Sequence, residues 1–66
     1  MGLTTVIKQR RKTLQITQTD LAEMSGVSLA TIKDIERGKG NPSFTTVHKL
    51  LKTLGLEIKF ETKQTG

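Results

Sequence analysis

Gly26 separates two short segments that each have helical character, and the shortness of this break leaves few ways for the chain to fold. On its N-terminal side, Thr17 is a good helix N-cap, and Asp20 three residues later resembles a shortened capping box. On its C-terminal side, Ser28 can cap the next helix. A glycine can take the left-handed conformation that a tight exit from a helix requires. The sequence therefore predicts two short helices joined by a turn of three residues.

Apolar residues recur at helical spacing in four segments, which predicts an all-α domain of four helices. The first helix is expected to run to about Thr13, and the others over Gln18–Met24, Ser28–Arg37 and Phe44–Leu54. The residues expected to face the core are Leu3, Val6, Ile7, Leu14, Leu21, Ala22, Val27, Ile32, Ile35, Phe44, Val47, Leu50, Leu51 and Leu54.

The spacing of apolar residues changes after Gly55. Leu56, Ile58 and Phe60 alternate with charged residues, which predicts a β-strand. Since no other segment has this pattern, the strand would lack ladder partners unless the same strand of a second copy pairs with it. We therefore expect a helical domain over residues 1–55 and a strand and tail over 56–66 that form a homodimer. A frayed extension is the alternative.

The composition favours a nucleic-acid partner. Eleven Lys and Arg against six Asp and Glu give a net charge of +5 in 66 residues, which is typical of a nucleic-acid-binding surface. No cysteine and only one histidine, His48, are present, so neither a disulfide nor a zinc site is expected. The chain has no catalytic constellation and is expected to be neither an enzyme nor dependent on a cofactor. The first residues lack the apolar core of a signal peptide, and no apolar run approaches the roughly 20 residues that span a bilayer, so we expect a cytoplasmic protein without a membrane partner.

Two short helices with a three-residue turn have the spacing of a helix-turn-helix. The stretch "TQTDLAEMSGVSLATIKDIERGKGNPS" also resembles the XRE family of helix-turn-helix regulators, which includes Cro and the lambdoid phage repressors. The resemblance covers about residues 8–54. It depends on a combination of motifs: Thr-Gln at the start of the second helix, the Gly-Val-Ser turn, Ile-x-x-Ile-Glu-x-Gly-Lys, and Asn-Pro-Ser before the fourth helix.

This resemblance implies a lambda-repressor-like DNA-binding domain whose third helix reads the major groove of double-stranded DNA. As a homodimer it would bind a palindromic operator and act as a transcriptional repressor. It also implies that Glu36 pairs with a first-helix arginine, here Arg11. The residues expected to read bases are Leu29, Ala30, Lys33 and Asp34. Those expected to bind phosphates are Gln18, Ser28, Thr31, Arg37, Lys39, Asn41 and Ser43.

Several alternatives remain open on the sequence alone. Leu29 either contacts a thymine methyl or only closes the core, and Asp34 either accepts from a cytosine amino group or caps local structure. The pair between Arg11 and Glu36 could be an ordinary surface pair. Four helices followed by a strand also resemble the HipB-like antitoxins, so an antitoxin that binds a toxin protein is the second functional hypothesis.

Overall fold

A computed structural model describes residues 2–57 of the chain, which form four α-helices. These helices are α1 (Leu3–Thr13), α2 (Gln18–Ser25), α3 (Leu29–Glu36) and α4 (Phe44–Thr53). Their bounds agree with the predicted ones to within one or two residues. Residues 2–57 contain no β-strand. Leu56 and Glu57 have no regular structure, and the rest of the predicted strand, with Ile58 and Phe60, lies outside the described residues.

A complete capping box starts α2. The Asp20 backbone N–H donates to Thr17 Oγ1 at 3.0 Å, and the Thr17 backbone N–H donates to the Asp20 carboxylate at 2.9 Å. The backbone hydrogen bond from Thr17 is the main reason that the pKa of Asp20 lies below its ordinary value. Two otherwise unpaired N–H groups are thus satisfied where the chain enters the helix-turn-helix.

Helices α3 and α4 start in the same way as each other. Ser28 Oγ accepts from the Thr31 backbone N–H at 3.2 Å, and Ser43 Oγ accepts from the Thr46 backbone N–H at 3.2 Å. Each serine hydroxyl also donates to the hydroxyl of its threonine. Both serines are N-caps that bond to the threonine three residues later, so the pattern Ser-x-x-Thr marks the start of both helices.

A Schellman motif ends α3 and shapes the loop that follows. The Gly38 backbone N–H donates to the Ile35 carbonyl at 3.0 Å, and the Lys39 backbone N–H donates to the Asp34 carbonyl at 2.8 Å. Gly38 has φ +74°, a conformation that glycine adopts without steric cost.

Helix α1 ends in the same motif, with a glutamine in the position that glycine usually fills. The Gln15 N–H donates to the Lys12 carbonyl at 3.0 Å, and the Ile16 N–H donates to the Arg11 carbonyl at 3.2 Å. Gln15 has φ +58° and is the only non-glycine residue with positive φ among residues 2–57. A side chain there is strained, by roughly 1–2 kcal/mol.

The core lies where α2 crosses α3 and α4, with α1 packed on α3. Its buried residues are Ile7, Leu21, Val27, Ile32, Ile35, Leu50, Leu51 and Leu54. Three of the residues predicted to be in the core, Leu3, Leu14 and Phe44, are exposed instead. Leu14 is the C-cap of α1 and lies past its last buried turn. Phe44 is the first residue of α4, and its ring stacks on His48 with the ring centroids 6.1 Å apart. Leu3, at the start of α1, is at the margin of exposure.

Two long-range hydrogen bonds fasten α1 to the ends of its neighbours. Thr4 Oγ1 donates to the Ile35 carbonyl at 2.8 Å, near the end of α3. Arg10 Nε donates to the Leu54 carbonyl at 2.9 Å, at the end of α4. Both satisfy carbonyls in the last turn of a helix, where intrahelical donors run out. Of the four helices, none is long and apolar enough to cross a bilayer.

Candidate nucleic-acid interface

Helix α3 buries one side and exposes the other. Ile32 and Ile35 lie in the core, whereas Ala30 and Lys33 are exposed. Leu29, for which the sequence allows either a core or a DNA contact, is half-buried at the edge of the exposed side. The outer face is therefore short and mixed, with one lysine head group at its centre.

Asp34 and Arg37 lie one turn apart on this outer face and form an ion pair. The Arg37 guanidinium donates to Asp34 Oδ1. Their side chains are 47% and 61% exposed, so water surrounds most of the pair. Exposed pairs of this kind contribute about 0–1 kcal/mol to stability. Asp34, which is predicted to read a base, can therefore leave Arg37 for another hydrogen-bond partner at little cost in free energy.

A second ion pair joins α1 to α3 and is shielded from water. Arg11 Nε donates to Glu36 Oε2 at 2.8 Å, and Arg11 Nη2 donates to Glu36 Oε1 at 2.8 Å. The contact is therefore bidentate. The side chains are only 13% and 3% exposed. Arg11 also donates to the Ile16 carbonyl at 3.0 Å, just past the end of its own helix. Fork-to-fork pairs fix orientation as well as distance.

Gln18 brings α2 into the same cluster. Its Nε2 donates to Glu36 Oε1 at 3.3 Å, so one carboxylate accepts from side chains of both α1 and α2. Among residues 2–57, no buried side-chain nitrogen or oxygen lacks a hydrogen-bond partner. We call Arg11, Gln18 and Glu36 the Glu36 cluster. Because three helices meet at this carboxylate, the cluster ties α3 to α1 and α2.

The cluster keeps Glu36 ionised despite its burial. Burial alone would raise the pKa of this carboxyl, but the hydrogen bonds from Arg11 and Gln18 and the positive charges of Arg11 and Lys8 lower it overall. Reciprocally, the hydrogen bond to Glu36 raises the pKa of Arg11. The ion pair therefore persists through the neutral pH range.

An open groove of about 290 Å³ runs between α3 and the start of α4. Gly40 has φ +83°, a conformation that favours glycine, and the loop there passes Asp34 at ordinary contact distance, since a Cβ on Gly40 would lie 3.7 Å from the Asp34 Cβ. The lining residues are Thr31, Asp34, Ile35, Lys39, Gly40, Asn41, Pro42 and Thr46. The loop thus sets Lys39 and Asn41, both exposed, beside the outer face of α3.

The predicted phosphate-binding residues do not all have free groups. Lys39, Asn41 and Arg37 are exposed, but the Gln18 amide points at Glu36 and is half-buried. The Ser28 and Ser43 hydroxyls are engaged in helix caps. Their place at helix N-termini remains compatible with an anion, since the backbone N–H groups and the helix dipole are favourable there. Thr31, half-buried, belongs to the Ser28 cap.

Sequence reasoning missed three residues that shape this surface. Thr4 and Arg10 hold α1 against α3 and α4, although helical spacing alone places Arg10 on a solvated face and gives Thr4 no role. Thr46 lines the groove. Its signal was available, because the spacing of Ser43 and Thr46 repeats that of Ser28 and Thr31 in the preceding helix.

A short helix, a tight glycine turn and a second short helix with a polar, exposed outer side define a helix-turn-helix domain. Residues 7–60 match the Helix-turn-helix family, and the chain belongs to this family.

Similar proteins support the same assignment. An uncharacterized helix-turn-helix-type transcriptional regulator of Methanothermobacter thermautotrophicus is 42% identical over 53 residues, 80% of this chain and 77% of that protein. A protein of the same description from Methanocaldococcus jannaschii is also 42% identical over 53 residues, 80% of each chain. The immunity repressor protein of Bacillus phage phi105 is 38% identical over 52 residues, 79% of this chain and 36% of the phage protein.

Proposed function

We propose that the chain is a DNA-binding transcriptional regulator that reads the major groove of double-stranded DNA with α3. One observation carries the proposal: the Glu36 cluster ties α3 to α1 and α2 while the outer face of α3 stays exposed. A recognition helix must be rigid, because base contacts depend on side chains placed to within a fraction of an ångström. The net charge of +5 supplies the attraction to phosphates.

The residues divide into two groups with different tasks. Lys33 is the best donor for guanine O6 or N7, and Asp34 is suited to accept from a cytosine amino group once it leaves Arg37. Leu29 and Ala30 offer apolar contact to thymine methyls. The groups expected along the backbone are Gln18, Ser28, Thr31, Arg37, Lys39, Asn41 and Ser43, which set register without reading sequence.

The regulator acts as a homodimer in this proposal. Two copies would present their α3 helices about 34 Å apart, one turn of DNA, to a palindromic operator. The partner surface is the segment with Leu56, Ile58 and Phe60, whose alternation suits a strand paired across a two-fold axis.

Repression is the favoured direction of regulation. The name of the phage relative, an immunity repressor protein, supports it. The alternative of an antitoxin depends on the predicted strand beyond Glu57 alone, so DNA binding is the function that residues 2–57 support best.

In-vitro selection of DNA bound by the full chain tests the proposal. A palindromic motif with half-sites about one turn apart is the expected result. Lys33→Ala should change the preferred base at one position of each half-site. Lys52→Ala is the matched control. Lys52 is an exposed lysine of α4, so this substitution removes the same charge at a position outside α3. A motif that is unaltered by Lys33→Ala would contradict base reading by α3.

The phosphate contacts have a separate readout. Gln18→Ala with Lys39→Ala should weaken binding to all sequences alike, and the lost charge of Lys39 should reduce the slope of log affinity against log salt by about 0.9 if it neutralises one phosphate. An unchanged slope would exclude Lys39 from the phosphate-binding group.

A further inference from the structure

Three cationic side chains surround the outer face of α3, and they differ in whether a carboxylate already holds them. Lys33, Arg37 and Lys39 are all exposed. Among residues 2–57, Arg37 is the only one of the three that forms an ion pair, and its partner is Asp34. The two lysines can therefore meet DNA of any sequence without losing a partner, whereas Arg37 must first leave its carboxylate.

The pair between Asp34 and Arg37 is exclusive on both sides. In the described part of the chain, no other side chain donates to the Asp34 carboxylate, and the Arg37 guanidinium donates to no other acceptor. Lys39 lines the same groove as Asp34, but no ion pair joins these two side chains. Arg37 is thus the cation that balances the charge of Asp34 in the free protein.

The geometry of the helix sets Arg37 across the surface that would read DNA. The two residues are three positions apart, about 4.5 Å along the axis of α3. Long side chains on a helix lean toward its N-terminus, so the Arg37 side chain lies over the turn that carries Asp34. A base that approaches the Asp34 carboxylate therefore approaches the guanidinium as well.

Among the predicted base-reading residues, Asp34 alone carries a negative charge. Every phosphate of double-stranded DNA is negative, so a carboxylate that enters the major groove is repelled. A cytosine amino group in front of Asp34 offsets this repulsion with a hydrogen bond, while a guanine at the same place presents only the acceptors O6 and N7. On DNA with guanine there, Arg37 is the partner that the carboxylate can keep.

We propose that Arg37 determines specificity without contacting a base, because it reaches a phosphate only on DNA that gives Asp34 a donor. On such DNA a cytosine amino group replaces Arg37 at the carboxylate, and the guanidinium turns to the backbone. On DNA with an acceptor at that place, Arg37 stays with Asp34 and the phosphate contact is not made. This coupling rests on the proposed function, since it takes α3 as the helix that reads the major groove.

The salt dependence of affinity tests the coupling, because each neutralised phosphate adds about 0.9 to the slope of log affinity against log salt. In-vitro selection with the wild-type chain and with Asp34→Asn first identifies the position that Asp34 reads, as the one whose preferred base changes. Two duplexes are then compared. One is the selected operator, and the other has guanine in place of cytosine at that position of one half-site.

For the wild-type chain we expect a slope that is steeper by about 0.9 on the selected operator than on the changed one. Arg37→Ala should give equal slopes on the two duplexes, because the guanidinium is gone. Asp34→Asn should also give equal slopes, because Arg37 is then free on both.

Lys39→Ala is the matched control. It removes a cation that has no carboxylate partner among residues 2–57, so the difference between the duplexes should persist. Circular dichroism checks that every variant retains the helical fold.

Three results would overturn the coupling. Equal slopes for the wild-type chain would mean that Arg37 treats both duplexes alike. A difference that persists in Arg37→Ala would assign the effect to another cation. A selected motif that Asp34→Asn leaves unchanged would remove Asp34 from base reading. In each case a motif that responds to Lys33→Ala would leave the proposed function standing, whereas selection that yields no motif would overturn that function and the coupling with it.

Discussion

The two arginine–carboxylate pairs of α3 have the same chemistry and opposite circumstances. Arg11 and Glu36 join two helices, are almost excluded from water and contact each other through two hydrogen bonds. Arg37 and Asp34 lie within one helix end and are mostly exposed. A buried charge cannot lose its partner without a large penalty, whereas an exposed one exchanges its partner for water or a ligand. The first pair therefore fixes where α3 lies, and the second leaves its ends free to bind.

Removing one member of the buried pair should have the largest effect. Arg11→Ala leaves the Glu36 carboxylate buried without its main partner, and we expect a loss of about 3–5 kcal/mol in the free energy of unfolding. Small domains have little reserve, so much of the protein would unfold at room temperature. Urea titration followed by circular dichroism measures this loss. If Arg11→Ala and Arg37→Ala cost the same, the contrast between the pairs is wrong.

Acid should remove the contribution of the buried pair. The pKa of Glu36 is lowered in the folded state, so its stabilisation is present above the unfolded pKa and disappears as pH falls through the folded value. Asp20 changes in the same direction through its capping box. Stability of the wild-type chain should therefore decline below about pH 4.5, near the ordinary pKa of a glutamate. Glu36→Gln should be less stable near neutral pH and should show a shallower decline, measured as denaturation midpoints between pH 2 and 7.

Relieving the strain beside the cluster should stabilise the fold. Gln15→Gly removes a side chain from the left-handed region, and we expect a gain of about 1 kcal/mol. Arg11 also donates to the Ile16 carbonyl, next to Gln15. Gln15→Gly in an Arg11→Ala background therefore tests whether the end of α1 forms without this hydrogen bond. Gln15→Ala, which keeps a side chain at positive φ, is the control and should bring no gain. A loss of stability in Gln15→Gly would contradict the strain.

The exposed pair should matter least for stability. Asp34→Asn and Arg37→Ala should each change the free energy of unfolding by less than about 0.5 kcal/mol. On DNA, Arg37→Ala should lower the salt slope if this arginine reaches a phosphate, while Asp34→Asn releases Arg37 and should not lower it. A stability loss comparable to that of Arg11→Ala would make the pair structural.

The helices were predictable because their signals are local. Thr17, Ser28 and Ser43 each mark the start of a helix within three or four residues, and the structure bounds α2, α3 and α4 accordingly. The core prediction was wrong for Leu3, Leu14 and Phe44, which lie at or just past helix ends. Helical spacing tells which side of a helix a residue faces, but not whether a neighbouring element extends far enough to cover it.

The site was predictable only in part, and for a related reason. The contact between Arg11 and Glu36 came from family resemblance, since 25 residues separate the two and no spacing rule joins them. That the Gln18 amide points at the same carboxylate depends on the crossing of three helices. The bonds of Thr4 and Arg10 to distant carbonyls have no sequence signal, because every residue carries a carbonyl and only packing decides which one lies near.

Helix α1 is bonded to residues that lie far from it in the sequence. Its hydrogen bonds to Ile35 and Leu54 close loops of 31 and 44 residues, whereas the caps and helix ends close within six. Local opening starts in elements that few buried residues hold, and Ile7 is the one buried residue of α1, against three in α3. We therefore expect the amides of α1 to exchange with solvent deuterium sooner than those of α3. Each such opening withdraws Arg11 from Glu36, so the lifetime of the closed first helix sets how long the reading surface keeps its shape.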